Sequence, residues 1–141
     1  MARDGRHQSE DLEQEALFEW ASFASVADPR LSLLFHIPNG GRRDAATGRA
    51  LKRRGVKAGV PDLFLPAATS CFHGLFIEMK VGNNRPSKAQ EGWIGDLKAQ
   101  GYWVAICYGW LEAKETIEKY LRGYYGKFQL QQGNSRRKAD G

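Results

Sequence analysis

Two carboxylates and a lysine stand near the middle of this chain, as Pro61-Asp62 and then Glu78-Met79-Lys80. Carboxylate oxygens hold a hard divalent cation such as Mg²⁺ at about 2.1 Å, and a bound metal lowers the pKa of its water. A nearby ammonium can orient that water or steady the charge that builds on a phosphate under attack. The chemistry open to Asp62, Glu78 and Lys80 together is metal-assisted hydrolysis of a phosphodiester. Glu-x-Lys alone is a common tripeptide and equally describes a same-face ion pair at a sheet edge. The Pro-Asp at the start of another apolar run lifts the pattern above that.

These groups need strands to carry them. Leu75 to Val81 reads as one, with Leu75, Ile77, Met79 and Val81 on one face and Phe76, Glu78 and Lys80 on the other. Asp62 to Leu65 reads as a second strand, joined to the first by a polar, glycine-containing connection. Charge on a hydrophobic strand is costly, which argues that Glu78 and Lys80 are kept for a purpose.

A helix is expected over Glu10 to Val26, capped by Ser9, with an apolar face of Leu12, Ala16, Leu17, Trp20, Phe23 and Ala24. Glu13 falls near the middle of that face, whereas Glu15 and Glu19 fall to its side. An inward acid needs a metal, a cation or a proton. Glu13 is therefore the expected helix-borne third carboxylate, with Glu10 as the alternative and a snorkelling acid as the plain reading.

Asp28-Pro29 closes this helix, Leu31 to Ile37 reads as a short strand, and Pro38-Asn39-Gly40-Gly41 is a turn by chemistry. Ala45 to Arg54 reads as a second helix, too poor in apolar residues to bury much, stopped by Gly55. Ser87 and Gln90 form a capping box that opens a third helix running to about Gln100, with Trp93, Ile94 and Leu97 inward. Tyr102 to Tyr108 reads as a strand, and Trp110 to Leu121 as a last helix with Leu111, Ile117, Tyr120 and Leu121 inward. Residues 1–8 are expected to be a flexible arm, 9–122 a single domain, and 123–141 a mobile basic tail.

A chain of 141 residues is long enough for one real core, and 42% hydrophobic with 26% charged residues is ordinary globular composition. The net charge is +5, and its placement carries more information than its size. From Arg42 to Lys57 the bases Arg42, Arg43, Arg49, Lys52, Arg53, Arg54 and Lys57 face one acid, Asp44. A basic block just before an acidic site suits a polyanion held while a metal acts on it, and a merely solvated basic face is the bland alternative. Cys71 and Cys107 lack both disulfide and zinc spacing and are expected to be core thiols. His7, His36 and His73 are scattered. No G-x-x-x-x-G-K-[ST] is present, so no nucleotide cofactor is expected. The polar start and the lack of a long apolar stretch lead to the expectation of a cytoplasmic, intracellular protein without a membrane segment.

Pro61-Asp62 followed by Glu78-Met79-Lys80 resembles the PD-(D/E)XK nuclease signature. The surrounding text resembles its VRR-NUC branch, which also forms the nuclease module of a Fanconi-anaemia-associated repair enzyme. It comprises His36 to Arg42, Leu51-Lys52-Arg53, Gly55 to Leu63, Phe76 to Lys80, and Ser87 with Gln90. The resemblance implies an α/β, restriction-endonuclease-like core with a small mixed sheet flanked by helices. It implies a Mg²⁺- or Mn²⁺-dependent DNA endonuclease, active in repair or recombination on Holliday junctions or flaps, leaving 5′-phosphate and 3′-hydroxyl ends, and often a homodimer. Asp62, Glu78 and the Met79 carbonyl would bind metal with Glu13, Lys80 would activate water, and Gln90 would sit beside them. Asn39 and Arg42 would approach the DNA backbone, with Arg43, Arg49, Lys52, Arg53, Arg54 and Lys57 extending that surface. Two other readings stay open: a non-catalytic DNA-binding module and a general DNA-degrading nuclease.

Overall fold

The computed structural model describes residues 5–38 and 44–124, apart from the side chains of residues 6–8. Four strands form one mixed sheet in the order β1-β2-β3-β4: β1 (Phe35–His36), β2 (Leu63–Leu65), β3 (Leu75–Lys80) and β4 (Trp103–Tyr108). The first three pair antiparallel, and β3 pairs parallel with β4 from Leu75↔Trp103 to Lys80↔Tyr108. A parallel pair needs a crossover, supplied here by the helix α3 (Lys88–Ala99). Its first turn holds the capping box read from the sequence: Ser87 Oγ accepts from Gln90 N, and the Gln90 side chain accepts from Ser87 N.

Alternation in β3 sorts its residues between two environments. Leu75, Ile77 and Met79 join Leu63, Leu65 and Cys107 in the core under helices α1 (Gly5–Ala24) and α4 (Trp110–Arg122), which add Leu17, Ala21, Ala113, Ile117 and Tyr120. Each fully buried aliphatic side chain contributes roughly 1.5–3 kcal/mol relative to exposure. Tyr120 also donates from its hydroxyl to Ala67 O at 2.6 Å, so its one polar atom is satisfied inside. On the opposite face Phe76 stacks on Phe64 at 4.2 Å and meets Tyr102 edge-on at 5.2 Å.

The helix α2 (Ala45–Arg53) starts at Asp44, whose carboxylate accepts from Thr47 N and Thr47 Oγ1, and it buries no residue.

Several expectations need correction. The first helix begins at Gly5, inside the expected arm, and Leu12 and Phe23 are exposed at 65% and 76%. Its buried stripe runs through Leu17 and Ala21 instead, with Phe18, Trp20 and Ala24 packed at the margin. Much of the apolar run read as a strand over Leu31 to Ile37 is a 3-10 turn, Pro29–Leu33. Asp28 explains this: its carboxylate accepts from Arg30 N and pairs with the Arg30 guanidinium, while Pro29 fixes φ at the first position. The turn buries Leu31 and Leu34, and only Phe35 and His36 are left to pair. Leu111 is exposed rather than inward, Cys71 is exposed rather than a core thiol, and Trp93, Ile94 and Leu97 are half-buried. Among the described residues no helix is long and apolar enough to cross a membrane. Residues 1–4, Asn39, Arg42, Arg43 and the tail 125–141 lie outside the described residues.

Candidate active site

At the C-terminal end of β3, on the face away from the core, Glu78 is 3% exposed and Lys80 stands one pleat further on. Asp62, just ahead of β2, reaches across to the same place, where its Oδ2 accepts from Met79 N at 2.8 Å. That bond fixes one carboxylate against the strand carrying the other. The Asp62 carbonyl accepts from Ile37 N at 2.7 Å and lies 2.9 Å from His36 Nδ1. Asp62 is therefore held by its carbonyl from the β1 side and by its carboxylate from β3.

Gln90 organises the pair Glu78 and Lys80. Its Nε2 donates to Glu78 Oε1 at 2.7 Å, and its Oε1 accepts from Lys80 Nζ at 3.0 Å and from Ser87 N at 2.8 Å. Ser87 N–H can only donate, so it fixes which end of the amide faces the cap, and the NH₂ must then face the carboxylate. Lys80 Nζ lies 3.6 Å from Glu78 Oε1, with both side chains largely buried. One Gln90 side chain thus both caps α3 and joins Glu78 to Lys80.

Burial holds Glu78 protonated up to about 8, and the charge of Asp62 adds to that, against the pull of Lys80. Asp62 is also raised, mainly by burial, although the Met79 N–H favours its charged form. When charged, Glu78 has one oxygen, Oε2, buried without a hydrogen-bond donor. When protonated, it can donate to Asp62, which is why that contact raises one acid and lowers the other. Two adjacent, buried carboxylates with an unpartnered oxygen form a site short of positive charge. The donor set therefore fits a hard divalent cation, which Asp62 and Glu78 could hold together.

Glu13 makes a contact that the sequence does not foretell. Its Oε2 accepts from Trp110 N at 2.6 Å and so caps α4, whose own N-cap residue, Gly109, has no side chain to offer. Gly109 N donates to Lys80 O at 3.1 Å, so Glu13 lies at the Lys80 end of the sheet with its carboxylate engaged at a helix. Among the described residues no three His, Cys, Asp or Glu side chains converge as a metal-binding group. Glu10, one turn earlier, is half-buried. Arg49, Lys52, Arg53, Arg54 and Lys57 are all exposed on or just after α2.

Two contributors escaped the sequence reading. One is His36, whose ring borders the Asp62 carbonyl. Gly59 has φ +90°, and a Cβ there would lie 2.6 Å from the backbone carbon of Ala89, beside Gln90. Only its position just before Val60-Pro61-Asp62 could have pointed to it.

Among curated proteins none matches this chain. A solved structure titled "VRR_NUC domain protein" superposes with a TM-score of 0.69 at 29% identity, covering 81% of this chain and 88% of that one. The family model of the VRR-NUC domain matches residues 5–110, which include every strand, the cap of α3 and the Asp62, Glu78, Lys80 and Gln90 cluster. The chain thus belongs to the VRR-NUC family of nuclease domains.

Proposed function

We propose that this chain is a Mg²⁺- or Mn²⁺-dependent DNA endonuclease, and the observation that carries the reading is the buried, unpartnered oxygen of Glu78 beside Asp62. Asp62 and Glu78 would hold the cation, with the Met79 carbonyl adjoining and Glu13, or else Glu10, as the third carboxylate. The bound cation supplies Lewis acidity and a more acidic water. The chain's own work is positional. Met79 N–H fixes Asp62, Gln90 fixes Glu78 and Lys80, and the Lys80 ammonium is aimed where a phosphate oxygen or the attacking water would sit. Water adds to phosphorus and the P–O3′ bond breaks, which leaves 5′-phosphate and 3′-hydroxyl ends. Branched or flapped duplex, and a homodimer that offers one site to each of two strands, are the substrate and assembly this reading favours.

A second reading has one observation in its favour. Since no three-acid group forms among the described residues, the cluster could be structural in a DNA-binding module. Nicking of labelled four-way junction, flap and plain duplex DNA in Mg²⁺, Mn²⁺ or EDTA separates the two. Metal-dependent cutting by the wild type, lost in Lys80→Ala, is expected. Binding without cutting under every metal would overturn the nuclease in favour of the module. Comparing products from circular and linear DNA tells internal cleavage from degradation at ends.

A further inference from the structure

The chain leaves the sheet after Ile37 and returns at Asp62, and the Ile37 N–Asp62 O bond ties the two ends together at the catalytic carboxylate. The returning limb is seated again at Gly59, which lies against Ala89 in the first turn of α3, next to Gln90. Between these roots stands α2, a nine-residue helix that buries no side chain. Helices of this length are marginal alone and normally persist by burying an apolar stripe. Moreover, Arg49 lies one turn from Lys52 and Arg53, and like charges at that spacing repel. Arg54 and Lys57 follow, also exposed, and the one acid, Asp44, is used up in capping. A polyanion laid along this helix would offset the repulsion among its bases.

We infer that α2 is a phosphate-gripping arm. Its stripe of Arg49, Lys52 and Arg53 contacts the DNA backbone next to the bond held at Asp62 and Glu78, and it sets substrate affinity without taking part in bond breaking. The placement rests on the nuclease reading; the phosphate contact does not. The ligand is the sugar-phosphate backbone itself, so the arm adds no base preference.

The test is binding of a labelled duplex and a labelled four-way junction, in EDTA, across a salt series. The subjects are wild type, the triple variant Arg49→Gln/Lys52→Gln/Arg53→Gln, and a control, Lys98→Gln/Lys119→Gln/Arg122→Gln, from the exposed C-terminal turns of α3 and α4. Each lost phosphate contact makes the slope of log K against log salt shallower by about 0.9. The α2 triple is expected to be shallower by about 2 to 3 and about tenfold or more weaker at 0.15 M salt. It should keep the wild-type kcat in Mg²⁺ at saturating DNA and show the cost in KM. The control should keep the wild-type slope. An α2 triple with the wild-type slope, or a control that loses as much as the α2 triple, overturns the arm. A triple that binds normally but has lost kcat also overturns it. Since α2 buries nothing, melting temperatures should agree, and a triple that melts lower with a reduced slope is judged against Arg49→Lys/Arg53→Lys, which keeps the charge and must keep the slope. Wild type that binds with the steep slope but never cuts removes the nuclease reading and leaves the arm; wild type that cuts, with an indifferent α2, does the reverse.

Discussion

The two faces of β3 are built from neighbouring residues and treated in opposite ways. Leu75, Ile77 and Met79 are sealed among aliphatic and aromatic side chains from α1, α4 and the sheet, with little left unsatisfied. Glu78, between two of them in sequence, is as deeply buried and yet keeps an oxygen with no donor. One face is spent on stability and the other holds back unbalanced charge. Since successive side chains alternate, a strand can serve both purposes without an extra residue.

Substitutions on the two faces should therefore separate stability from activity. Lys80→Ala is expected to lower metal-dependent cleavage by roughly 10²–10⁴-fold, the scale of losing a positioned acid, base or charge, while melting changes little; single-turnover rates alongside a melting curve check this. Ile77→Ala, three residues away on the core face, should do the opposite. A loss of about 2–5 kcal/mol is the usual cost of emptying such a site, measurable by denaturant unfolding, with the rate per folded molecule retained. Comparable activity losses from both would erase the distinction between the faces.

Gln90→Ala removes the amide that holds Glu78 and Lys80 and also breaks the capping box, so it should act on both readouts. Outer-shell losses of about 10–100-fold in activity or metal affinity should accompany about 1 kcal/mol of helix destabilisation. Ser87→Ala, which touches only the cap, should show the second effect with a smaller share of the first, and a cleavage assay in parallel with thermal melting tells them apart.

The remaining effect concerns acidity. Glu78 is held protonated to about 8 in the folded chain and has an ordinary value near 4.5 otherwise. The folded state therefore binds this proton more tightly, and its contribution to stability is present at low pH and lost as pH rises from about 4.5 through about 8. In EDTA, Glu78→Gln should melt higher than wild type at pH 8 and by a lesser margin at pH 5. Mg²⁺ should raise the wild-type melting temperature more at the higher pH. A margin that is flat or reversed with pH would show that Glu78 is not held as described.

How much of this could be read from the residues depended on the range of the interactions. The alternation in β3, the Asp62 strand mouth and the Ser87–Gln90 box all rest on neighbours close in sequence, and each stands in the structure much as the pattern had it. The wheel places Glu13 inward but does not register that it meets the Trp110 N–H, because that group comes from 97 residues further along the sequence. The helical wheel likewise recognised that α1 is amphipathic but could not say where α4 would lie, so Leu12 and Phe23 were assigned to a face that nothing among the described residues covers. The strand proposed over Leu31 to Ile37 failed at a local competition, because the Asp28 cap and Pro29 favour a turn that the apolar pattern does not register.

The joint use of Gln90 also bears on how the chain folds. Asp62, Glu78, Lys80 and Gln90 are joined by short loops, whereas the core must bring Leu17 of α1 to Ile117 and Tyr120 of α4 across nearly the whole length. Contacts of low sequence separation close early and distant ones late. On refolding, the hairpin of β2 and β3 with the first turn of α3 can assemble the polar cluster before the two outer helices dock. A cation added at the start of refolding should then speed the approach to the native state, and one added at the end should only slow its loss.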